Sequence, residues 1–364
     1  MFIRATLATI ALAASLVQAQ AKPTVEVTFV IDTTGSMAGL IDAAKRKVWS
    51  IATTIADANP DATVRMGLVA YRDIGDDYVT QVHDLSTDIQ DIYARLLTFK
   101  AAGGGDWPES VNEALDVAVT KVGWTQGADT TRIIFLVGDA PPHMDYKQDR
   151  KYPEVLKDAA ARGIVVNAVQ AGNAADTARV WRTIAQMGHG EYLAIPQDGG
   201  KVSVIITPWD DEIYELQLEI NRTVLPYGRS EQQGALRSKL DTLASAPRPA
   251  AADSAGYLSR KAAGGAAVTG GGDLVEDVVQ GRKEVAAVPE AELPAELRAV
   301  PAPERQAKVA ALGGQRRVLA DRMGALVKRR EAFIAQKQRE APKSGAVDSF
   351  DAAVATALRA QIRK

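Results

Sequence analysis

The chain has 364 residues, room for two or three units of ordinary domain size, and 46% of them are hydrophobic, enough for at least one sizeable core. Its 43 basic residues balance 45 acidic ones, so the composition lacks the basic excess that draws proteins to nucleic acid or to membrane surfaces. Cysteine is absent, which excludes a disulfide framework, a thiol nucleophile, a thiolate-bound zinc and a lipoprotein anchor.

The opening residues read as an export signal. Arg4 supplies a positive start, Ala5 to Val17 are mostly apolar, and Ala19-Gln20-Ala21 is a small-x-small cleavage pattern. The apolar run falls short of the roughly 20 residues that a membrane span needs, and no later segment reaches that length. An exported protein is therefore expected, periplasmic or extracellular, with residues 1–21 removed and no membrane span in the mature chain.

From Val25 to about Ile206, short apolar runs alternate with helical patterns. Val25–Ile31 reads as a buried strand, followed by a helix through Leu40, Ile41, Ala44, Val48, Ile51 and Ile55. Val64–Tyr71 is a second strand, and Asp77–His83 a short polar one suited to a sheet edge. Helical stretches follow near Asp88–Phe99 and Pro108–Val122. Strand Arg132–Val137, a helix near Tyr152–Arg162, strand Ile164–Gln170, helix Asp176–Met187 and strand Glu191–Ile195 complete the series. Strands separated by helices predict right-handed crossovers and a mostly parallel sheet covered on both faces, an α/β doubly wound fold.

Pro208–Thr223 predicts one more helix, closing a first domain over 22–225. Residues 226–302 are rich in Ala, Gly and Pro and read as a flexible linker with short helices. Its GGAAVTGGG run follows no strand and lacks a Gly-Lys-Ser/Thr continuation, so it reads as linker and not as a phosphate loop. Residues 303–364 form a helical C-terminal region. There Leu312, Leu319, Met323, Leu326 and Phe333 make a stripe, with Arg316 and Arg330 between, that suits a coiled-coil seam or one side of a helical hairpin. Such helices offer a route to oligomers, and Lys328-Arg329-Arg330 reads as a solvated face.

The residues with chemistry stand where the first strand ends. Asp32 closes it, and Thr34 and Ser36 follow at two-residue intervals in the turn that opens a helix. Ligand sites of open parallel sheets form at such carboxyl ends. One carboxylate and two hydroxyls suit a hard cation, Mg²⁺ first, with Ca²⁺ or Mn²⁺ also able to fit. As single residues, Asp, Thr and Ser also serve as helix caps.

The D-x-T-x-S pattern of residues 32–36 resembles the metal-ion-dependent adhesion site of von Willebrand factor A domains. Asp139, in FLVGDAPPH after strand Arg132–Val137, matches the family's third-loop acid. The second loop aligns with GGGDWPES, residues 103–110, and puts Asp106 where Thr is commoner, so Asp106 is expected to act in the outer shell or through water. The resemblance spans residues 25–206 and implies a non-enzymatic protein-binding module. Its cation would be held by Asp32, Thr34, Ser36 and Asp139, with Asp106 beside them and a partner's acidic side chain completing the shell. His143, Arg72 and Asp73 would stand at the rim facing that partner.

Two other functions compete. A structural or assembly factor would use the first domain as a platform and associate through its C-terminal helices. A serine hydrolase would use Ser36 at its strand-to-helix turn, but G-x-S-x-G is absent and only His143 could approach as a base.

Overall fold

Along β1 (Thr24–Asp32), residues Val25 through Ile31 are all buried, the polar Glu26 and Thr28 included. A strand buried on both faces lies in the middle of a covered sheet. Glu26 is accommodated because Thr125 donates to it twice, from its hydroxyl to Oε1 at 2.6 Å and from its backbone N–H to Oε2 at 2.9 Å, and because Arg65 pairs with it.

The structure, a computed structural model, describes residues 22–199, 205–261, 269–340 and 350–362. The expected signal segment and part of the glycine-rich run 264–272 lie outside the described residues. After β1, a 3-10 turn (Gly35–Met37) opens α1 (Ala38–Ala58). Then come β2 (Thr63–Tyr71), β3 (Thr80–Ser86), α2 (Ile89–Thr98), α3 (Val111–Thr120), β4 (Thr130–Gly138), α4 (Tyr152–Ala161), β5 (Ile164–Ala171), α5 (Ala175–Met187) and β6 (His189–Ile195). The six strands lie in the order β3-β2-β1-β4-β5-β6, all parallel except β3, which runs antiparallel at the edge.

This is the mostly parallel, doubly wound α/β architecture expected from the alternation of elements. Strand residues such as Val27, Phe29, Ile133 and Phe135 face α1 and α2, while Val30, Val69, Ile134 and Leu136 face α3, α4 and α5. Strand order reverses between β1 and β4, and their carboxyl ends flank the crevice where open sheets of this kind bind ligands. The edge strand starts later than the expected Asp77, because Asp73 to Asp77 form a turn in which Asp76 Oδ2 accepts from the Asp73 backbone N–H at 3.1 Å.

The remaining helices are α6 (Asp210–Arg222), α7 (Ser230–Ala244), α8 (Arg248–Lys261), the short α9 (Leu274–Val279) and α10 (Ala295–Arg298), the long α11 (Ala302–Glu340), and α12 (Phe350–Ile362). Two of them, α7 and α8, occupy 15 and 14 residues of the stretch expected to be a flexible linker. Their alanines read as linker by composition, yet Ala250 packs into the α1 side of the sheet core, as does Tyr257, while Ala252 and Ala255 meet α6 and α11. The last helix joins the same core through Val354, Ala357 and Leu358, and Gln361 exchanges hydrogen bonds with Asn167 of β5.

The stripe on α11 finds its apolar partners inside the chain: Leu319, Met323 and Leu326 pack with Ile213, Leu216 and Ile220 of α6. Its two arginines are buried in ion pairs. Arg316 meets Asp273 at 2.6 Å and donates to both oxygens of Thr223. Arg330, expected on a solvated face, is 5% exposed, with Asp210 of α6 at 2.7 Å and Asp253 of α8 at 2.7 Å. The basic run is local in sequence, whereas these carboxylates arrive from distant helices.

Removing one member of a buried ion pair leaves the other charge uncompensated. Arg330→Ala is expected to cost about 3–5 kcal/mol of unfolding free energy, and Leu358→Ala about 2–5 kcal/mol through the cavity it opens beneath α12. Urea unfolding of the full chain measures both, and wild-type stability in either variant would show that these helices do not hold the core.

Candidate functional site

Asp32 ends β1 facing the crevice and is fully buried. Its Oδ1 accepts from the Thr34 backbone N–H at 2.8 Å and from the Thr34 hydroxyl at 2.7 Å. The Thr34 and Ser36 hydroxyl oxygens lie 3.3 Å apart, with Thr34 buried and Ser36 exposed. Asp32 Oδ2 is buried and has no hydrogen-bond partner.

Asp139 follows β4 by one residue. Its backbone carbonyl accepts from the Thr177 hydroxyl of α5 at 2.9 Å, and Trp181 donates to the next carbonyl, Ala140, at 3.2 Å. These bonds fix the loop that carries the carboxylate. Gln197, beyond β6, donates to Asp139 Oδ2 at 2.7 Å and to the Ser36 carbonyl at 3.3 Å, bridging the first and third loops. Gly138 lets the loops close: a Cβ there would overlap the Tyr71 hydroxyl and stand 3.1 Å from Asp32 Cβ.

The second loop contributes Glu109, which the sequence reading missed. A Cβ on Gly104, whose φ is +80°, would lie 3.0 Å from Glu109 Oε1 and 3.1 Å from Thr34 Cβ, so this glycine is needed where loop, carboxylate and hydroxyl converge. Glu109 is 4% exposed, and its Oε2 has no hydrogen-bond partner. Main-chain bonds pin it, from Glu109 N–H to Pro141 O at 3.0 Å and from His143 N–H to Glu109 O at 3.0 Å. Helix α3 was expected from Pro108 but begins at Val111, which leaves Glu109 in the loop. An acid just before that helix was the available signal.

Three acids thus meet with little to neutralise them. Burial pushes the Asp32 carboxyl up to about 7, against the lowering effect of its two bonds from Thr34, and Asp139 adds to the rise while Arg72 opposes it. Burial, then the charges of Asp32, Asp73, Asp76 and Asp139, push Glu109 up to about 9. Burial, then the charges of Asp32, Glu109 and Asp139, raise the Tyr71 hydroxyl, which is also buried without a partner. A hard divalent cation fits this donor set. It would take up the orphaned oxygens of Asp32 and Glu109, with Thr34 and Ser36 supplying neutral oxygen.

The other expected residues are placed elsewhere. Asp106 is exposed, and its Oδ2 lies 3.5 Å from His143 Nε2. His143 Nε2 is also 3.4 Å from Asp73 Oδ2, so Asp106 joins a separate Asp73–Asp106–His143 cluster. Burial draws the His143 imidazole down, but Asp145, Asp73 and Asp106 together reverse this and leave it raised.

The expected rim residues Arg72, Asp73 and His143 are all buried, at 5%, 4% and 5% exposure, and so present no side chain to a partner. Arg72 instead ties loops together, donating to Thr33 O at 3.2 Å and Lys100 O at 2.8 Å, with its guanidinium 4.5 Å above the Tyr78 ring. Ile74, Trp107 and Met144 are each about half exposed and lie on the loops just described.

Residues 26–205, just under half of the chain, match the von Willebrand factor A domain family. The chain contains a von Willebrand factor A domain. The curated protein R811 of Acanthamoeba polyphaga mimivirus, named as an ariadne-like RING finger protein, is 28% identical over 123 residues, which are 33% of this chain. The chain spans only 11% of that relative's length. Among solved structures, the SpRpn10 VWA domain aligns with a TM-score of 0.37 at 13% identity, over 48% of this chain and 89% of that one.

The separation of Glu109 from Asp106 in the A domain can be measured. Glu109→Gln keeps shape and removes one carboxylate. Its Mg²⁺ affinity is expected to fall about tenfold, or about 1.4 kcal/mol, and the Mg²⁺-induced rise in melting temperature should shrink. Asp106→Asn should leave both unchanged. Titration calorimetry and thermal melts decide, and the opposite ranking would return Asp106 to the site.

Proposed function

We propose that the A domain is a non-enzymatic protein-binding module whose grip is a divalent cation, Mg²⁺ in the first instance. The observation that carries this reading is the orphaned Asp32 Oδ2, buried at the sheet's switch point beside the Thr34 hydroxyl and a second unpartnered carboxylate oxygen on Glu109. When bound, the cation would supply a positive centre for an acidic side chain of the partner. Asp32 and Glu109 would hold it, with Asp139 directly or through water. Thr34 and Ser36 would orient it through neutral oxygens, and Gln197 would keep the first and third loops together.

The setting favours a protein ligand. Ile74, Trp107 and Met144 put half-exposed apolar surface on the same loops as the acids, and Trp107 is steadied by donating to Asp176 at 2.7 Å. Large apolar side chains around a small polar centre suit a protein surface with an acidic anchor. A serine hydrolase is less favoured, because the Ser36 hydroxyl meets Thr34 while His143 Nε2 is directed at Asp73 and Asp106. Export is part of the same reading and rests on Arg4, the apolar run after it and Ala19-Gln20-Ala21.

The test uses the full chain stripped of metal. Wild type should bind Mg²⁺ in titration calorimetry, and Asp32→Ala should bind at least about tenfold more weakly. A partner captured in Mg²⁺ should be released by EDTA and should fail to bind Asp32→Ala. Retention in EDTA, or equal capture by the variant, would overturn the cation-grip reading. N-terminal sequencing of protein made in its own host checks export, with a mature start near Lys22 expected.

A further inference from the structure

We propose that Asp73, Asp106 and His143 form a second cation site, separate from the Asp32 site and suited to a transition ion of the Zn²⁺ class. Their ligating atoms all lie within 4.8 Å of one another, with His143 Nε2 3.4 Å from Asp73 Oδ2 and 3.5 Å from Asp106 Oδ2. Ligands about 2.0–2.1 Å from a tetrahedral ion stand roughly 3.3–3.4 Å apart, so the two measured spacings need little adjustment.

The histidine is prepared for this role. It is 5% exposed, and its Nε2 is buried with no hydrogen-bond partner, aimed between two carboxylates. Its Nδ1 lies 2.8 Å from Asp145 Oδ1. An ionised carboxylate only accepts, so Nδ1 carries a proton and Nε2 is the nitrogen left to a second proton or to a metal ion. Two carboxylates facing Nε2 need positive charge between them, and a metal ion that displaces the proton supplies it.

The surroundings hold the ligands in place. Ser110 donates to Asp73 Oδ1 at 2.7 Å and Tyr146 to Asp73 Oδ2 at 2.8 Å, while the Tyr146 ring stacks on the imidazole at 3.9 Å between centroids. Asn112 of α3 donates to the His143 carbonyl at 2.6 Å and accepts from Tyr152 N–H at 2.8 Å, which anchors the loop. Asp106 is exposed and leaves one side open to solvent. One imidazole with two carboxylates selects a borderline ion over Mg²⁺, whereas the Asp32 site offers oxygen alone.

The experiment is Zn²⁺ binding by the metal-stripped full chain, with bound metal counted after dialysis and affinity measured by competition with a chelating dye. Wild type and Asp32→Ala should each retain this Zn²⁺. His143→Ala and Asp106→Asn should lose it, and Asp145→Asn should weaken it about 10–100-fold. Asp106→Asn alters an exposed side chain, so circular dichroism should show an intact fold. Co²⁺ in place of Zn²⁺ should give the visible spectrum of a tetrahedral centre in wild type and not in Asp106→Asn. If wild type binds no Zn²⁺, the imidazole is simply protonated between the acids and the proposal falls. It falls equally if Zn²⁺ is lost in Asp32→Ala but kept in His143→Ala. Failure of Mg²⁺ binding at Asp32 would leave this result untouched.

Discussion

Negative charge crowded into a desolvated crevice is the constraint around which the A domain is arranged. Asp32, Glu109 and Asp139 converge where strand order reverses, and burial together with the neighbouring carboxylates lifts the first two far above ordinary carboxyl values. Such groups persist in a fold only if something compensates the charge or if they remain protonated. Two Thr34 bonds and the nearby Arg72 act on Asp32, but they leave its second oxygen without a partner. The loops are accordingly braced from several sides. Arg72 bonds the carbonyls of Thr33 and Lys100, Thr177 and Trp181 of α5 hold the Asp139 loop, and Glu109 is paired through its main chain to Pro141 and His143. Bracing of this kind keeps like charges together instead of letting the loops relax apart.

The legible part of the site was the part contiguous in sequence or attached to an obvious strand. Asp32, Thr34 and Ser36 share one turn at the end of a strand that periodicity places, whereas Asp139, after the apolar run of β4, was singled out by the resemblance of its loop to the adhesion-site motif. The second loop defeated that reading. It carries two acids three residues apart, and which one faces the crevice depends on where α3 begins. Pro108 looked like a helix start, yet the main-chain pairing of Glu109 with Pro141 holds the chain extended until Ser110. Glu109 therefore turns inward, and Asp106 projects toward His143.

Beyond the sheet, the difficulty was compositional. Alanine-rich stretches resemble linkers because each residue buries little area, but small side chains also let helices approach closely, as Ala252 and Ala255 do between α6 and α11. Arg330 shows the same limit from the charged side. Its neighbours Lys328 and Arg329 are exposed, and nothing local distinguishes it. Asp210, 120 residues away, is what makes burial tolerable. Fold class follows from period and order along the chain, whereas the partner of a buried charge is a tertiary fact.

These two lessons meet in the arrangement of the acids around the crevice. Loops 73–77, 103–110 and 139–146 each bear more than one carboxylate, and the backbone sorts them into an oxygen-only group around Asp32 and a histidine-containing group around His143. Glu109 feels Asp73 and Asp76 as well as Asp32 and Asp139, so the two groups share one electrostatic field without sharing ligands. Cation charge placed in either would relieve repulsion in the other, since like charges destabilise one another across a poorly screened interior. Occupancy of the His143 group should therefore ease the retention of carboxylates at Asp32 through the field alone, with no movement of the loops. Glu109, the residue least visible in the sequence, is the carboxylate that feels acids of both groups.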